Sequence, residues 1–402
     1  MNPGFDAPSV EDTQVAGHGD GSPERMGERS SRPVVSLLTN FIPPYRIPFL
    51  EELGRVTALT VHVDTTMESD RHWPSYQGPL EVVRNTGLSV PSRFLPGRKR
   101  DLHIPIDLLS HLRQARPDYV ISGEMGARTL QAIAYARLLR RAPVVVHFDG
   151  SVYSEANVAA PIRQVRRWIA RLADGFIVNG SDGRTYLASL GVSASNVLVL
   201  PFAVDRRFET PARPPREPDD GRHLLYVGDV TRRKNLASFL KVASRLLTQH
   251  PDHQLEVHVV GDGPEREAIA SIPAPRNLRI LMHGAMPYER LPEVYRQAEA
   301  LVLPSLYDTW GLVVNEALAS GLPVLGSTRC QAVSHLIDDG IQGWTFDPTN
   351  EPSMAEAILG FLDAKPDRLR AMSDAARATA SQLDPERLAL ALRDFLVSTR
   401  AR

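Results

Sequence analysis

The chain has 402 residues, of which 43% are apolar and 23% charged, and its 46 basic and 47 acidic side chains leave a formal net charge of −1. That length holds two or three domains with cores of their own, and so even a charge balance excludes bulk nucleic-acid binding. The single cysteine, Cys330, excludes an intrachain disulfide and a thiolate metal site and points to a reducing cytoplasm, while no apolar run nears the roughly 18 residues of a membrane span and no signal-peptide segment is read at the start.

Residues 1–32 are rich in Gly, Ser, Pro, Asp and Glu with few large apolar side chains, and read as a disordered tail. From Val34 onward, short aliphatic runs alternate with amphipathic helical stretches. VVSLLT (34–39), LTVHV (59–63), DYVISG (118–123), PVVVHF (143–148), GFIVNG (175–180) and VLVLP (197–201) read as buried strands. Residues 209–222, with four prolines, break the pattern and read as a linker. The alternation restarts with HLLYVGD (223–229), QLEVHVVGDG (254–263), LRILMHG (278–284), ALVLPS (300–305) and PVLGS (323–327). Strand and helix in alternation predict an α/β fold of two doubly wound parallel sheets, in domains 33–208 and 223–384, with ligands in the cleft outside the carboxyl ends of the strands. Residues 385–402 repeat apolar side chains at helical spacing and predict a terminal helix whose candidate berth is the N-terminal domain.

The stretch PSLYDTWGLVVNEALASGLPV (304–324) sets a local problem. Gly311–Ser320 reads as a short helix, apolar nearly all round, stopped by Gly321 and Pro323. Glu316 in such a helix needs hydrogen-bond donors or a polar ligand, unless the helix lies at an edge and the carboxylate is solvated. Asp308 has a simple alternative as a helix N-cap. In YVGDVTRRKNL (226–236), Gly228 ends a strand and Arg232, Arg233 and Lys234 follow at a helix entry, a candidate anion site or a solvated basic turn. Lys234 stands out because only four of the 46 basic residues are lysines. GDGPER (261–266) lacks the third glycine of a dinucleotide fingerprint, Arg266 standing in its place, and HGAMP (283–287) is a further turn after a strand.

Taken in order, VGDVTRRKN, GDGPER, HGAMPYERLPEVY, the stretch above and DDGIQGWTF (338–346) resemble a retaining GT-B glycosyltransferase of the family 4 type, over about Val34–Phe346. The most specific match is to that family's E-x7-E pattern, with Asp308 in the first place and Glu316 in the second. The resemblance implies two Rossmann-like domains and a nucleotide-diphosphate sugar as donor, with no further cofactor. Glu316 would then accept hydrogen bonds from the donor's ribose, and Asp308 would lie near the hydroxyls of the transferred sugar as a catalytic-site residue. Lys234, with Arg233 or Arg232, would neutralise the diphosphate. Backbone N–H groups of Gly311, Leu312 and Val313 would meet the same phosphates, with Gly228 in the phosphate loop and Met286 in a loop round the base. Six helical residues between the two carboxylates predict a separation of roughly 9 Å. Two departures stand out: Asp229 where the family has arginine, and aspartate at 308 instead of glutamate.

In the first half the resemblance points to His147, at the end of VVVHF, as a catalytic residue facing the donor sugar. Pro43-Pro44-Tyr45-Arg46 replaces a glycine pair common in the family, which makes Tyr45 and Arg46 acceptor candidates, together with Glu124 after DYVISG. The helix PIRQVRRWIARL (161–172) carries Arg163, Arg166, Arg167 and Arg171, and GRKR (97–100) adds a basic loop. Both suit either an ordinary surface or peripheral contact with an anionic membrane. The chain has no D-x-D motif, so no metal ligands are assigned, and the predicted reaction is a metal-independent sugar transfer to a hydroxyl acceptor with retention. A sugar-nucleotide epimerase and a non-catalytic nucleotide-sugar-binding protein are the alternatives.

Overall fold

The computed structural model describes residues 32–65, 76–90, 102–139, 142–210 and 221–400. The predicted tail, the GRKR loop and most of the Pro-rich linker lie outside them.

In the first half β1 (Val34–Thr39), β2 (Ala58–Val63) and β3 (Glu81–Arg84) are followed by a small antiparallel hairpin, β4 (Gly87–Val90) with β5 (Leu102–Pro105). Then come β6 (Tyr119–Ser122), β7 (Val144–Phe148), β8 (Gly175–Val178) and β9 (Val197–Val199). Interleaved with them are α1 (Ile47–Val56), α2 (Leu108–Ala115), α3 (Ala127–Leu138), α4 (Ala160–Leu172) and α5 (Ser181–Ser189). The strands are parallel in the order β3-β2-β1-β6-β7-β8-β9, so the strand order reverses between β1 and β6. Near-continuous apolar runs form these strands because both faces are covered: Leu37 and Val61 pack with α1, and Leu38 and Val146 pack with α2 and α3.

The second half repeats the plan with β10 (Arg222–Val227), β11 (Leu255–Val260), β12 (Leu278–Gly284), β13 (Ala300–Leu303), β14 (Val324–Ser327) and β15 (Gly343–Phe346). Its helices are α6 (Leu236–Gln249), α7 (Arg266–Ala270), α8 (Leu291–Tyr295), α9 (Val313–Ala319), α10 (Gln331–Leu336), α11 (Glu351–Leu362) and α12 (Pro366–Ser381). This sheet, also parallel, runs β12-β11-β10-β13-β14-β15 and reverses between β10 and β13. The turns that end β10 and β11 come very close. A Cβ on Gly261 would lie 1.9 Å from the carbonyl oxygen of Gly228, and the φ of +134° at Gly261 is likewise glycine's.

The two parallel sheets match the expected fold class. The sequence did not signal β3, the β4–β5 hairpin or β15: EVVR is a largely exposed edge strand without alternation, and GWTF is only four residues long and begins on the last glycine of the turn-rich DDGIQG. The chain joins the second core before the Pro-rich stretch, since Val204 and Phe208 already pack with Leu225, Leu301 and Tyr295. It returns at residue 384, where Val204 N donates to Leu383 O at 3.0 Å and Arg206 pairs with Asp384 at 2.8 Å. The last helix, α13 (Pro385–Arg400), lays Leu388, Leu392 and Leu396 among Phe49, Leu50 and Leu53 of α1.

Candidate active site

At the reversal point of the second sheet, the turn after β10 meets the loop after β13. Thr231 and Asn235 flank a 3-10 turn, Arg232–Lys234, in which Asn235 takes a left-handed conformation and sends the chain into α6. Lys234 Nζ then lies 2.5 Å from Asp308 Oδ2, and Arg233 Nη1 3.2 Å from Asp308 Oδ1. Arg233 also donates to Tyr307 O at 3.1 Å. Burial alone would push the Asp308 carboxyl up, but Lys234 and Arg233 outweigh it and hold it below the usual aspartate range. Gly228 borders the lysine, since a Cβ there would lie 3.9 Å from Lys234 Cε. Arg232 and Asp229 are exposed.

Two expectations about this loop need correction. Asp308 is not an N-cap: α9 begins at Val313, the cap position belongs to Leu312, and Asp308 sits in a parallel bridge with Cys330. The 9 Å carboxylate spacing, which assumed helix through this stretch, therefore has no basis, because residues 308–312 are extended or turning. The two carboxylates also have separate surroundings. Glu316 is buried and accepts from the hydroxyl of Tyr295, on α8, at 2.6 Å. Burial pushes its carboxyl up to about 7; the Tyr295 hydrogen bond works against that, and Asp205 adds to it. The edge-helix reading, with a solvated Glu316, is thereby excluded. Leu312, Val313 and Met286 are half-buried against the same core.

In the first half, Pro43 leads into a 3-10 turn, Pro44–Arg46, that runs straight into α1. It delivers Arg46 to the end of β7, where Arg46 Nη2 is 3.2 Å from His147 Nδ1. A guanidinium only donates, so Nδ1 accepts and the ring proton sits on Nε2. His147 Nε2 donates it toward Asn179 Oδ1 at 3.0 Å, with Asp149 Oδ1 3.1 Å from the same nitrogen. Burial lowers the pKa of His147, Asp149 pulls the other way, and Arg46 lowers it further, so the imidazole is neutral at pH 7. Tyr45 meets Phe202 edge-on at 5.8 Å. Glu124 instead joins a buried group at the reversal point of the first sheet: Arg128 lies 3.2 Å from Asp64, 2.5 Å from Asn40 Oδ1 and 3.6 Å from Glu124.

The two groups are stitched together by side chains that sequence reading missed. Gln331, at the start of α10, accepts from Gly183 N at 3.1 Å and donates toward Thr309 O and the carbonyls of Asp149 and Gly150, the last two at 3.3 Å. Asn315 Nδ2 donates to Phe202 O at 2.6 Å while its Oδ1 accepts from Trp310 at 2.8 Å, and Phe202 meets the Trp310 ring at 6.1 Å. The turn after His147 thus touches the loop carrying Asp308.

Two family profiles cover this chain in succession: "Glycosyl transferase 4-like domain" matches residues 50–203 and "Glycosyl transferases group 1" matches residues 208–379. A D-inositol 3-phosphate glycosyltransferase of Arthrobacter sp. (strain FB24) is 30% identical over 310 residues, 71% of this chain and 73% of the relative. The chain belongs to the group 1 glycosyltransferases. An alpha-D-kanosaminyltransferase of Streptomyces kanamyceticus is 31% identical over 166 residues, 41% of this chain and 42% of that one. The match spans 49% and 50% of two further relatives, so this chain aligns with about half the length of several curated proteins. Anabaena HepE, solved in complex with UDP, superposes with a TM-score of 0.67 at 15% identity, covering 90% of this chain and 99% of that one, and shares the GT-B fold. A sucrose-phosphate synthase from Thermosynechococcus elongatus superposes with a TM-score of 0.67 at 18% identity, covering 92% and 100%.

Within this GT-B frame the basic helix α4 departs from the expected arginine face. Arg166 turns inward, pairing with Glu155, donating to Tyr186 at 3.0 Å and lying 5.5 Å over Phe148. Leu172 and Trp168 of the same helix are exposed. No helix among the described residues is long and apolar enough to cross a membrane.

Proposed function

We propose that this group 1 family member transfers a sugar from a nucleotide-diphosphate sugar to a hydroxyl acceptor, with retention and without a metal on the leaving group. The observation that carries the reading is the Lys234–Asp308–Arg233 cluster at the reversal point of the second sheet, tied through Thr309 and Gln331 to the turn after His147. A strand-order reversal is where open α/β sheets bind ligands, and two cations there suit a diphosphate. Asp308 holds both cations in place. With donor bound, the diphosphate takes over Lys234 and Arg233, and Asp308 is released to the sugar hydroxyls. Glu316 Oε1 accepts from the ribose while Tyr295 retains Oε2.

Neutral His147, held by Arg46 and Asn179, contributes a positioned N–H and a polar wall beside the transferred sugar. The bond from the anomeric carbon to the diphosphate oxygen breaks as the bond to the acceptor oxygen forms on the same face, and the acceptor's proton passes to the departing phosphate. Tyr45 and Arg46 line the acceptor side. The HepE complex with UDP supports a nucleotide in this fold; which base this chain takes is read by thermal shift against a panel of nucleoside diphosphates.

Removing one charge-assisted partner costs about 1.5–3 kcal/mol, so Lys234→Ala is expected to weaken the best-stabilising nucleoside diphosphate about 10- to 100-fold. Equal stabilisation of wild type and variant removes Lys234 from the phosphate site. Transfer that proceeds with an inverted anomer, or that stops in EDTA, overturns retention or metal independence respectively. An epimer formed without acceptor would put the chain among epimerases.

A further inference from the structure

One face of the second sheet carries a cluster that the donor site does not use. His223, second residue of β10, lies opposite Glu256 on β11, and His258, two residues on, points to the same side because side chains alternate along a strand. His223 Nδ1 and His258 Nε2 are 3.4 Å apart, His258 Nε2 and Glu256 Oε1 2.9 Å, and His223 Nδ1 and Glu256 Oε1 3.7 Å. A tetrahedral ion with bonds of about 2.0–2.1 Å to nitrogen and oxygen requires its donors to be roughly 3.3–3.4 Å apart, and the three separations straddle that value. All three side chains are half-buried, and among the described residues this is the group whose donor atoms converge within 4.8 Å.

The surroundings match what holds metal ligands in place. His258 Nδ1 lies 3.0 Å from His283 Nε2 on β12, the two rings stacked within 2° of parallel, and Arg279 Nη1 lies 2.7 Å from the other Glu256 oxygen. A second nitrogen engaged by a neighbour fixes the imidazole tautomer, and an outer hydrogen bond orients the carboxylate. From these distances we infer that His223, Glu256 and His258 bind one divalent ion of the zinc class, with a water in the fourth position. Two imidazoles and one carboxylate are the borderline donor set that such ions prefer over calcium or magnesium. Its role is structural: it ties β10 to β11 and, through His283, to β12, the three strands whose carboxyl-terminal turns carry Gly228, Gly261 and Met286. The inference rests on side chains outside the proposed donor site and stands or falls apart from that reading.

Chelator-stripped full-length protein is titrated with Zn²⁺ against a chromophoric chelator, alongside His258→Gln, Glu256→Gln and His253→Gln. The last alters a separate histidine, which faces Asp363 at 3.1 Å. One equivalent is expected to bind wild type and His253→Gln and to raise the melting temperature, with at least tenfold weaker binding in His258→Gln and Glu256→Gln. A wild-type circular dichroism spectrum with cooperative melting verifies that each variant is folded, and stabilisation by nucleoside diphosphate unchanged by stripping verifies that the ion is not part of the donor site. Failure of wild type to hold an equivalent, or equal binding by His258→Gln, overturns the site. Should both cluster variants fail to fold, His223→Gln takes their place and is expected to show the same loss.

Discussion

Glu316 bears an energetic cost that its neighbours only partly offset. Its carboxyl titrates near 7 in the fold against 4.5 in the unfolded chain, because burial disfavours the charge more than the Tyr295 hydrogen bond favours it. Between those values the native state binds more protons than the unfolded state, so this group's contribution to stability falls as pH rises from about 4.5 through 7, by on the order of 3 kcal/mol in all. Glu316→Gln keeps an acceptor for Tyr295 and cannot ionise. Its melting temperature is therefore expected to exceed that of wild type by a margin that grows from pH 5 to pH 8, while nucleotide binding weakens; a margin independent of pH would mean that the carboxylate is solvated. Gly311 is constrained differently. Its φ is +100°, and an added Cβ would stand 2.5 Å from Cys330 Sγ, a buried thiol that burial pushes up to about 12. Gly311→Ala is expected to lose about 1–3 kcal/mol in denaturant unfolding, and Cys330→Ala to restore only the part due to the thiol, because the backbone strain and the 2.9 Å approach to Leu303 Cδ2 stay. Full restoration would assign the whole cost to packing.

Among the elements, α13 shows how far a segment can act from its sequence neighbours. It follows the second domain but buries Leu388, Leu392 and Leu396 in the core of the first. Deleting a buried leucine side chain costs about 2–5 kcal/mol, so Leu392→Ala is expected to lower stability by that order and to expose the α1 face to a hydrophobic dye. Unaltered denaturant unfolding would show that α13 is not integral to that core. The apolar spacing of residues 385–402 was legible as helix, yet spacing gives only a face and not its partner. The same limit applies to α4, whose four arginines look alike in sequence. Only the positions of Glu155, Tyr186 and Phe148 make Arg166 an internal residue.

Across the whole molecule, Gln331 joins the two halves at the cleft. Gln331→Leu leaves Gly183 N and the carbonyls of Asp149, Gly150 and Thr309 without their partner, at a cost of about 1–3 kcal/mol, and is expected to widen the molecule in small-angle scattering and to separate the unfolding of the two halves. A scattering profile identical to wild type would relieve Gln331 of that role. The two-sheet architecture was readable from the amino-acid order because alternation of buried strands and helices is a local, repeating signal, and the order of VGDVTRRKN, GDGPER and PSLYDTWGLVVNEALASGLPV carried the family. Which side chains meet was not readable. Lys234 reaches Asp308 only because strand order reverses between β10 and β13, and Gln331 reaches Gly150 only because the domains close on one another. By itself the sequence determined the periodicities, hence two α/β halves and the turns that carry charge. Tertiary structure alone decided that Asp308 pairs with cations instead of capping a helix, that Glu316 leans on Tyr295, and that two neighbouring strands bring two histidines and a glutamate within coordinating distance, because pairing and burial depend on separations in space that no local pattern encodes.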